Sequence, residues 1–264
     1  MKLGFIGCGN MASAIISGIL AHGLAAPQEI TVSALHQDTL DKVHERFQIA
    51  TATDNRIPAQ SDIVFLAVKP QFYENVIHEI ADTITERQLI VSIAPGLSIE
   101  KLISWFGKPV KLIRTMPNTP AMVGEGVTAV CPSASVTAQE LAQVTSLFEA
   151  CGTVELMPEH LVDAVVSVSG SSPAYVFLFI EAMADGAVRD GIPRAQAYRL
   201  AAQAVLGSAK MVLETGMHPG ALKDLVCSPA GTTIEAVAAM EEAGLRHAVL
   251  AGMKACSDKT NRMK

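Results

Sequence analysis

The sequence predicts an α/β fold in two parts: a parallel sheet with helices on both faces over residues 1–157, then an all-helical domain over 158–264. Two observations predict it. Up to Met157, runs rich in Val and Ile alternate with segments whose apolar residues recur at helical spacing, the pattern of consecutive strand and helix units. From Glu159 onward no strand-like alternation is found, only helical segments punctuated by "SGSSP", "GIPR", "GMHPG" and "CSPAGTT".

In chain order, the strands are "KLGFI", "EITVSAL", "DIVFLAV", "QLIVSIA", "VKLIRTM" and "GVTAVC". Their near-continuous apolar character is that of strands buried on both faces. The intervening helices are predicted near residues 11–22, 38–46, 71–81, 98–105 and 137–149, with Asp38 read as the cap of the second. In such a sheet ligands bind beyond the carboxyl ends of the strands. The chemistry is therefore sought in "GCGNMA", "SALHQD", "AVKPQ", "SIAPG" and "RTMPNTP".

The first of these loops has small residues at Gly7, Gly9 and Ala12, between an apolar strand and a helix carrying Met11, Ile15, Ile16 and Ile19. At this spacing the first glycine allows a tight turn, the second lets the backbone touch a pyrophosphate, and the third small residue lets helix pack on strand. Phosphates then sit on the free N–H groups at the helix start, near Asn10 and Met11. The N-terminal part is thus a Rossmann-like dinucleotide-binding domain; the alternative is a glycine turn without a ligand.

The second strand indicates which dinucleotide. An NAD site places Asp or Glu at that strand's end, where the carboxylate takes the ribose 2′-hydroxyl. Here the strand ends Ser33, Ala34, Leu35, His36, and Glu29 lies at its other end. With no carboxylate to repel it, a 2′-phosphate is accepted by Ser33 and the backbone N–H groups, with His36 beside them. The cofactor read from these residues is NADPH, with NADH as the alternative because no arginine is in the obvious position.

Composition narrows the partners. Half of the 264 residues are hydrophobic, 17% are charged, the net charge is −6, and Lys and Arg form no stripe, so nucleic acid is not expected. The N-terminus shows no signal-peptide pattern. "PAYVFLFI" is cut off by Glu181 and Asp185, short of the roughly 20 apolar residues of a membrane span. Five cysteines show neither a C-x-x-C pair nor metal spacing with His, and their number is odd; they read as buried thiols in a reducing cytosol. The segment 199–213, "RLAAQAVLGSAKMVL", is apolar nearly all round and needs cover on all sides. The simplest cover is a second copy of the chain, making the helical part a dimerisation domain; a central helix enclosed by its own domain is the alternative.

The ordered set GxGxxA, AVKP, SIAxG, R-x-MPNTP, "SGSSPAYVFLFIEAMADGAV", "HPGALKD" and "SPAGTT" resembles the pyrroline-5-carboxylate reductase family over the whole chain. R-x-MPNTP, S-G-S-x-P-A-Y and S-P-x-G-T-T are its specific pieces. The resemblance implies reduction of a small cyclic imine acid to proline by hydride from NAD(P)H. It further implies a nicotinamide against Ala67, Val68, Lys69, Pro70 and Ala94, near Met116, Pro117, Asn118 and Thr119, with Asn55 beside the adenosine ribose. It places Ser169 to Ser171 near the substrate. Departures are Ala230 and Ser172, where the family commonly has glycine, and Pro95, where a small residue is frequent.

Imine reduction also needs an anchor for a carboxylate and a proton for nitrogen. In "CSPAGTTIEAV", Thr232 followed by Glu235 reads as a capping box, starting a helix with free N–H groups at Gly231, Thr232 and Thr233 to hold the carboxylate. The alternative is a plain helix cap. The resemblance gives Thr233 a hydrogen bond to the ring nitrogen, so that its hydroxyl orients the imine or relays a proton from water. Ser172 before Pro173 reads as an N-cap, and His218 before Pro219 as a helix start. Lys69 reads as a packing residue of the cofactor loop. Two rivals stand beside this reading: a two-domain reductase of a keto or hydroxy acid, and a non-catalytic nucleotide-sensing dimer.

Overall fold

The computed structural model describes residues 1–262. They fall into two compact units: Met1–Ser171 with the C-terminal stretch beginning at Cys256, and Ser172–Ala255. The last strand ends at Leu156 and helix begins at Glu159, while the compact units divide after Ser171, because α6 (Glu159–Val165) packs on strands of the sheet.

The first unit contains eight strands: β1 (Leu3–Ile6), β2 (Ile30–Ser33), β3 (Ala50–Ala52), β4 (Ile63–Leu66), β5 (Leu89–Ser92), β6 (Lys111–Met116), β7 (Gly126–Pro132) and β8 (Gly152–Leu156). Their order in the sheet is β3-β2-β1-β4-β5-β6-β7-β8. Helices α1 (Asn10–Ala21), α2 (Gln37–Phe47), α3 (Tyr73–Ile80), α4 (Ile99–Phe106) and α5 (Ala138–Glu149) connect them. The period of two sorts the strand residues cleanly. Leu3, Phe5, Phe65, Val91 and Ile113 join one core, Ile6, Val64, Leu66, Ile90 and Leu112 the other. Phe5 and Phe65 stack at 4.4 Å in the first core, with Phe148 of α5 edge-on to Phe65.

The expected all-parallel sheet is corrected at β7, which runs antiparallel to β6, with β8 parallel to β7. A parallel return needs a crossover of a dozen or more residues. The segment 117–125 is too short for that; it makes a 3₁₀ turn, Thr119–Val123, ended by the left-handed Gly124 at φ 77. Strands β3 and β8 were not expected from the sequence. The one has three residues, and the other is largely exposed and lacks a continuous apolar run.

Helix ends correct two further expectations. The N-cap of α2 is His36, with no side-chain bond, and Asp38 lies inside the first turn. At "SGSSP" there is no loop: α6 runs into a π-helical stretch, Val166–Gly170, closed by Ser171 N–H donating to the Val166 carbonyl at 2.8 Å. Ser172 is already the first residue of α7 (Ser172–Arg189), so it is not an N-cap. Together these elements form a helical run of 31 residues, Glu159–Arg189, long and apolar enough to cross a membrane by length and composition, which "PAYVFLFI" alone did not suggest. Its first turns instead pack on β6 and β7, and Asp163 pairs with Arg114.

The second unit holds α7, α8 (Arg194–Thr215), α9 (Pro219–Val226), α10 (Thr232–Glu242) and the first part of α11 (Leu245–Asn261). Within it α7 packs against α8, yet α8 buries only Ala197 and Ala201. Phe177, Leu178, Leu206, Leu213, Leu225 and Leu250 are all more than half exposed in the single chain. A unit of this size with so much apolar surface uncovered is an interaction module.

Candidate active site

Within the first unit, the loops singled out by the sequence follow the carboxyl ends of β1, β2, β4, β5 and β6. The reversal of strand order falls between β1 and β4. Gly7 sits at that reversal with φ 93, and its N–H donates to the Ser33 carbonyl at 2.9 Å. A Cβ on Gly7 would lie 2.7 Å from the Ala67 carbonyl oxygen and 2.9 Å from Val68 Cγ1, so only glycine lets the loops after β1 and β4 meet. Gly9 faces open space, with no heavy atom within 4 Å of a Cβ there.

Gly9 is the N-cap of α1, and its first turn carries neither a side-chain cap nor an acidic residue. The N–H groups at Asn10 and Met11 have no intrahelical acceptor. Burial raises the Cys8 thiol above its usual range, partly offset by its bond to Ser13, so it adds no negative charge to the loop near neutral pH. Open room, unpaired donors and a positive helix end fit a pyrophosphate.

Around the end of β2 the structure modifies the expectation. Ser33 is fully buried and its hydroxyl donates to Asn55 Oδ1 at 2.7 Å, so it cannot also donate to a phosphate. Asn55 Nδ2 donates to the Glu79 carboxylate at 2.8 Å. Ala34 is half-buried, and Leu35 and His36 are exposed past the strand end. Glu79, on α3, is a residue that sequence reasoning missed.

Beneath the loops after β4, β5 and β6 runs a buried hydroxyl network. Thr115 Oγ1 donates to the Ser92 carbonyl at 2.9 Å, Ser92 Oγ lies 3.5 Å from the Tyr73 hydroxyl, and Tyr73 donates to the Leu66 carbonyl. Complete burial pushes the Tyr73 phenol well above its ordinary range, so it stays a donor. Pairing these groups fixes the loop starts, since an unmade buried bond costs about 1–3 kcal/mol. Lys69 and Thr119 are exposed and Pro70 half-buried, whereas Ala94, Pro117 and Asn118 are buried. The Ala94 side chain belongs to the core, and its N–H donates to Ser92 Oγ at 3.5 Å.

Asn118 is committed within the protein: its Oδ1 accepts from Val127 N–H at 2.9 Å and its Nδ2 donates to the Ser169 carbonyl at 3.1 Å. It thereby ties "MPNTP" to the π-helical turn. A Cβ on Gly170 would come 2.7 Å from the terminal methyl of Met116, which packs over the turn. Ser171 Oγ lies 3.2 Å from Cys256 Sγ, and Ser169 Oγ donates to the Val165 carbonyl at 3.4 Å. Below this turn Arg114, almost fully buried, pairs with Glu159 at 3.3 Å and with Asp163.

In the second unit, "SPAGTT" corrects the capping-box reading. Helix α10 begins at Thr232, so Gly231 is the N-cap, with φ −80 and no side-chain bond. The Gly231 N–H is not free either; it donates to the Ser228 carbonyl at 3.1 Å, closing a turn over Pro229 and Ala230. Ala230 adopts φ 56, the left-handed conformation that favours glycine, the residue the resembled family commonly has there. The donors without an intrahelical acceptor are those of Thr232, Thr233 and Ile234, at N1 to N3. Thr232 is exposed and Thr233 half-buried. His218 caps α9 as expected, accepting from Gly220 N–H at 3.0 Å.

The chain has curated relatives over its whole length. It is 51% identical to the pyrroline-5-carboxylate reductase of Escherichia coli K12, across 99% of this chain and 98% of that protein. The chain belongs to the pyrroline-5-carboxylate reductase family. The family's dimerisation model, "Pyrroline-5-carboxylate reductase dimerisation", matches residues 159–263, and "NADP oxidoreductase coenzyme F420-dependent" matches residues 2–96. The reductase of Methanosarcina acetivorans is 42% identical over 99% of this chain and 97% of that protein. The solved structure of the Coxiella burnetii reductase superposes with a TM-score of 0.91, at 34% identity, covering 100% of this chain and 98% of that one. That of the Plasmodium falciparum pyrroline carboxylate reductase, with NADP bound, also gives 0.91, at 30% identity and the same coverage. The chain thus has the Rossmann-like and helical parts expected from sequence.

Proposed function

We propose that this chain reduces 1-pyrroline-5-carboxylate to L-proline, using NADPH. The observation that carries the proposal is the 51% identity to a reductase of that name across 99% of the chain, which spans both the glycine loop and "SPAGTT". The cofactor supplies a hydride to the imine carbon, and the nitrogen takes up one proton. The Gly7 to Met11 loop holds the pyrophosphate on the start of α1, and the Val68 to Pro70, Ala94 and Pro117 to Thr119 loops flank the nicotinamide. The N–H groups of Thr232 and Thr233 hold the substrate carboxylate, and the Thr233 hydroxyl meets the ring nitrogen. Ser169 and Ser171 line the substrate side. Much of the acceleration then comes from holding donor and acceptor in line.

The chain works as a homodimer or an assembly of dimers through its helical part, supported by the dimerisation model and the uncovered apolar side chains of α7 and α8. Its five free cysteines suit a reducing cytoplasm. An assay following loss of reduced cofactor with pyrroline-5-carboxylate, set against simple 2-keto acids, tests the activity. Turnover of the keto acids alone would replace it with the rival reductase. Binding of cofactor without turnover of either would favour the non-catalytic dimer. Sedimentation at micromolar concentration tests the assembly, and an active monomer would remove it.

A further inference from the structure

Asn55 and Ser33 stand where a dinucleotide fold reads the adenosine ribose, at the carboxyl end of β2. A carboxylate only accepts hydrogen bonds, so the Asn55 atom facing Glu79 must be Nδ2, and the atom facing Ser33 must be Oδ1. Glu79 thereby fixes which way the amide points. The Ser33 proton is then used within the protein, and Asn55 retains one N–H for a ligand.

The surrounding charges add to this. Arg56, next along the chain, directs Nε and one terminal nitrogen at the two oxygens of Asp54, both at 2.9 Å. It is held protonated first by Asp54 and more weakly by the charge of Glu79. Asn55 is thus bonded to the Glu79 carboxylate, and the neighbouring guanidinium of Arg56 is already engaged by Asp54. His36, at the start of α2, is exposed.

We propose that Glu79 is a specificity-determining residue: it orients Asn55 toward the adenosine ribose and its charge restrains the preference for a cofactor bearing a 2′-phosphate. The strand end itself carries no carboxylate; one is supplied from α3, one hydrogen bond away through Asn55. A 2′-phosphate brings up to two negative charges beside it, whereas an unmodified ribose brings none. The consequence is a chain that accepts both reduced cofactors, with NADPH favoured less than the strand end alone implies. This inference rests on the reading of the chain as an NADPH-dependent reductase.

Calorimetric titration of the full-length protein with NADPH and with NADH tests it, in the wild type, Glu79→Gln and Glu79→Ala. Gln keeps an acceptor for Asn55 and removes the charge. The NADPH affinity of Glu79→Gln should rise about three- to tenfold, with NADH affinity unchanged within about twofold, and the gain should shrink in high salt. Glu79→Ala should in addition weaken both cofactors, because Asn55 loses its anchor. Equal changes for both cofactors in Glu79→Gln, or none, would overturn the inference while leaving the reductase reading intact. A wild type that binds neither cofactor would overturn both, and is told apart by the wild-type titration itself.

Discussion

Ala230→Gly should stabilise the protein, and the structure gives the size of the effect. Ser228 to Gly231 form a turn closed at 3.1 Å, with Pro229 at its second position and Ala230, at φ 56, at its third. A turn with positive φ at the third position asks for glycine there. An alanine held left-handed costs about 1–2 kcal/mol. Glycine would regain that but lose about 0.5–1 kcal/mol through the greater freedom of the unfolded chain. The net gain is about 0–1.5 kcal/mol, and its centre, about 0.75 kcal/mol, is for a chain of this length about 2–3 °C in Tm. Thermal and urea melts of both proteins measure it, at equal protomer concentration so that assembly does not shift the midpoint. The neighbouring position is the control. A Cβ on Gly231 would collide with the Ser228 hydroxyl, so Gly231→Ala should destabilise where Ala230→Gly stabilises. If Ala230→Gly melts at or below the wild-type temperature, the left-handed strain at this turn is not present in solution.

Thr233→Ala should lower kcat about three- to tenfold with KM little changed, the worth of one neutral hydrogen bond made best in the transition state; steady-state kinetics decide it, and wild-type constants would remove the residue from the mechanism. Thr232→Ala should leave stability within about 0.5 kcal/mol, since no side-chain cap bond is lost at α10, and a melt distinguishes this from the larger loss that a capping box would bring. Arg114→Met should cost about 3 kcal/mol in denaturant melts, because Glu159 and Asp163 would share a half-buried site without their cation. Cys151, whose thiol burial pushes up to about 11, should resist alkylation at pH 8 in the folded protein and react once unfolded. The sign of its pH effect follows: the unfolded chain releases this proton near 9.0 and the folded one only near 11, so this contribution to stability is complete below the lower value and is lost as pH rises between them.

The strands legible in the sequence are those buried on both faces. "DIVFLAV" and "QLIVSIA" read as strands because both cores claim their side chains, one set on each parity. The short β3 and the exposed β8 carry no such pattern, and the reversal at β7 depends on loop length rather than on the strand itself. "SGSSP" misled for a related reason. Ser, Gly and Pro together signal a helix boundary, but here Gly170 lies within the π-helical stretch, and Pro173 falls in the first turn of α7, where its missing N–H is not needed.

The candidate site divides along the same line. Gly7, Gly9 and Ala230 were legible because a backbone requirement is written into one position, either as glycine or as a departure from it. Roles that arise from a partner distant in sequence were not. Ser33 looked like a phosphate donor until Asn55, 22 residues on, took its proton, and Asn55 in turn is held by Glu79 another 24 residues away. Asn118 sits inside the most specific motif of the chain, yet both ends of its side chain serve Val127 and Ser169. A motif therefore identifies which loop approaches the ligand, while the direction of each donor is set by side chains on other elements. Asn55 illustrates the consequence: its one remaining N–H is available to a ribose only because a carboxylate on α3 has settled the orientation of the amide.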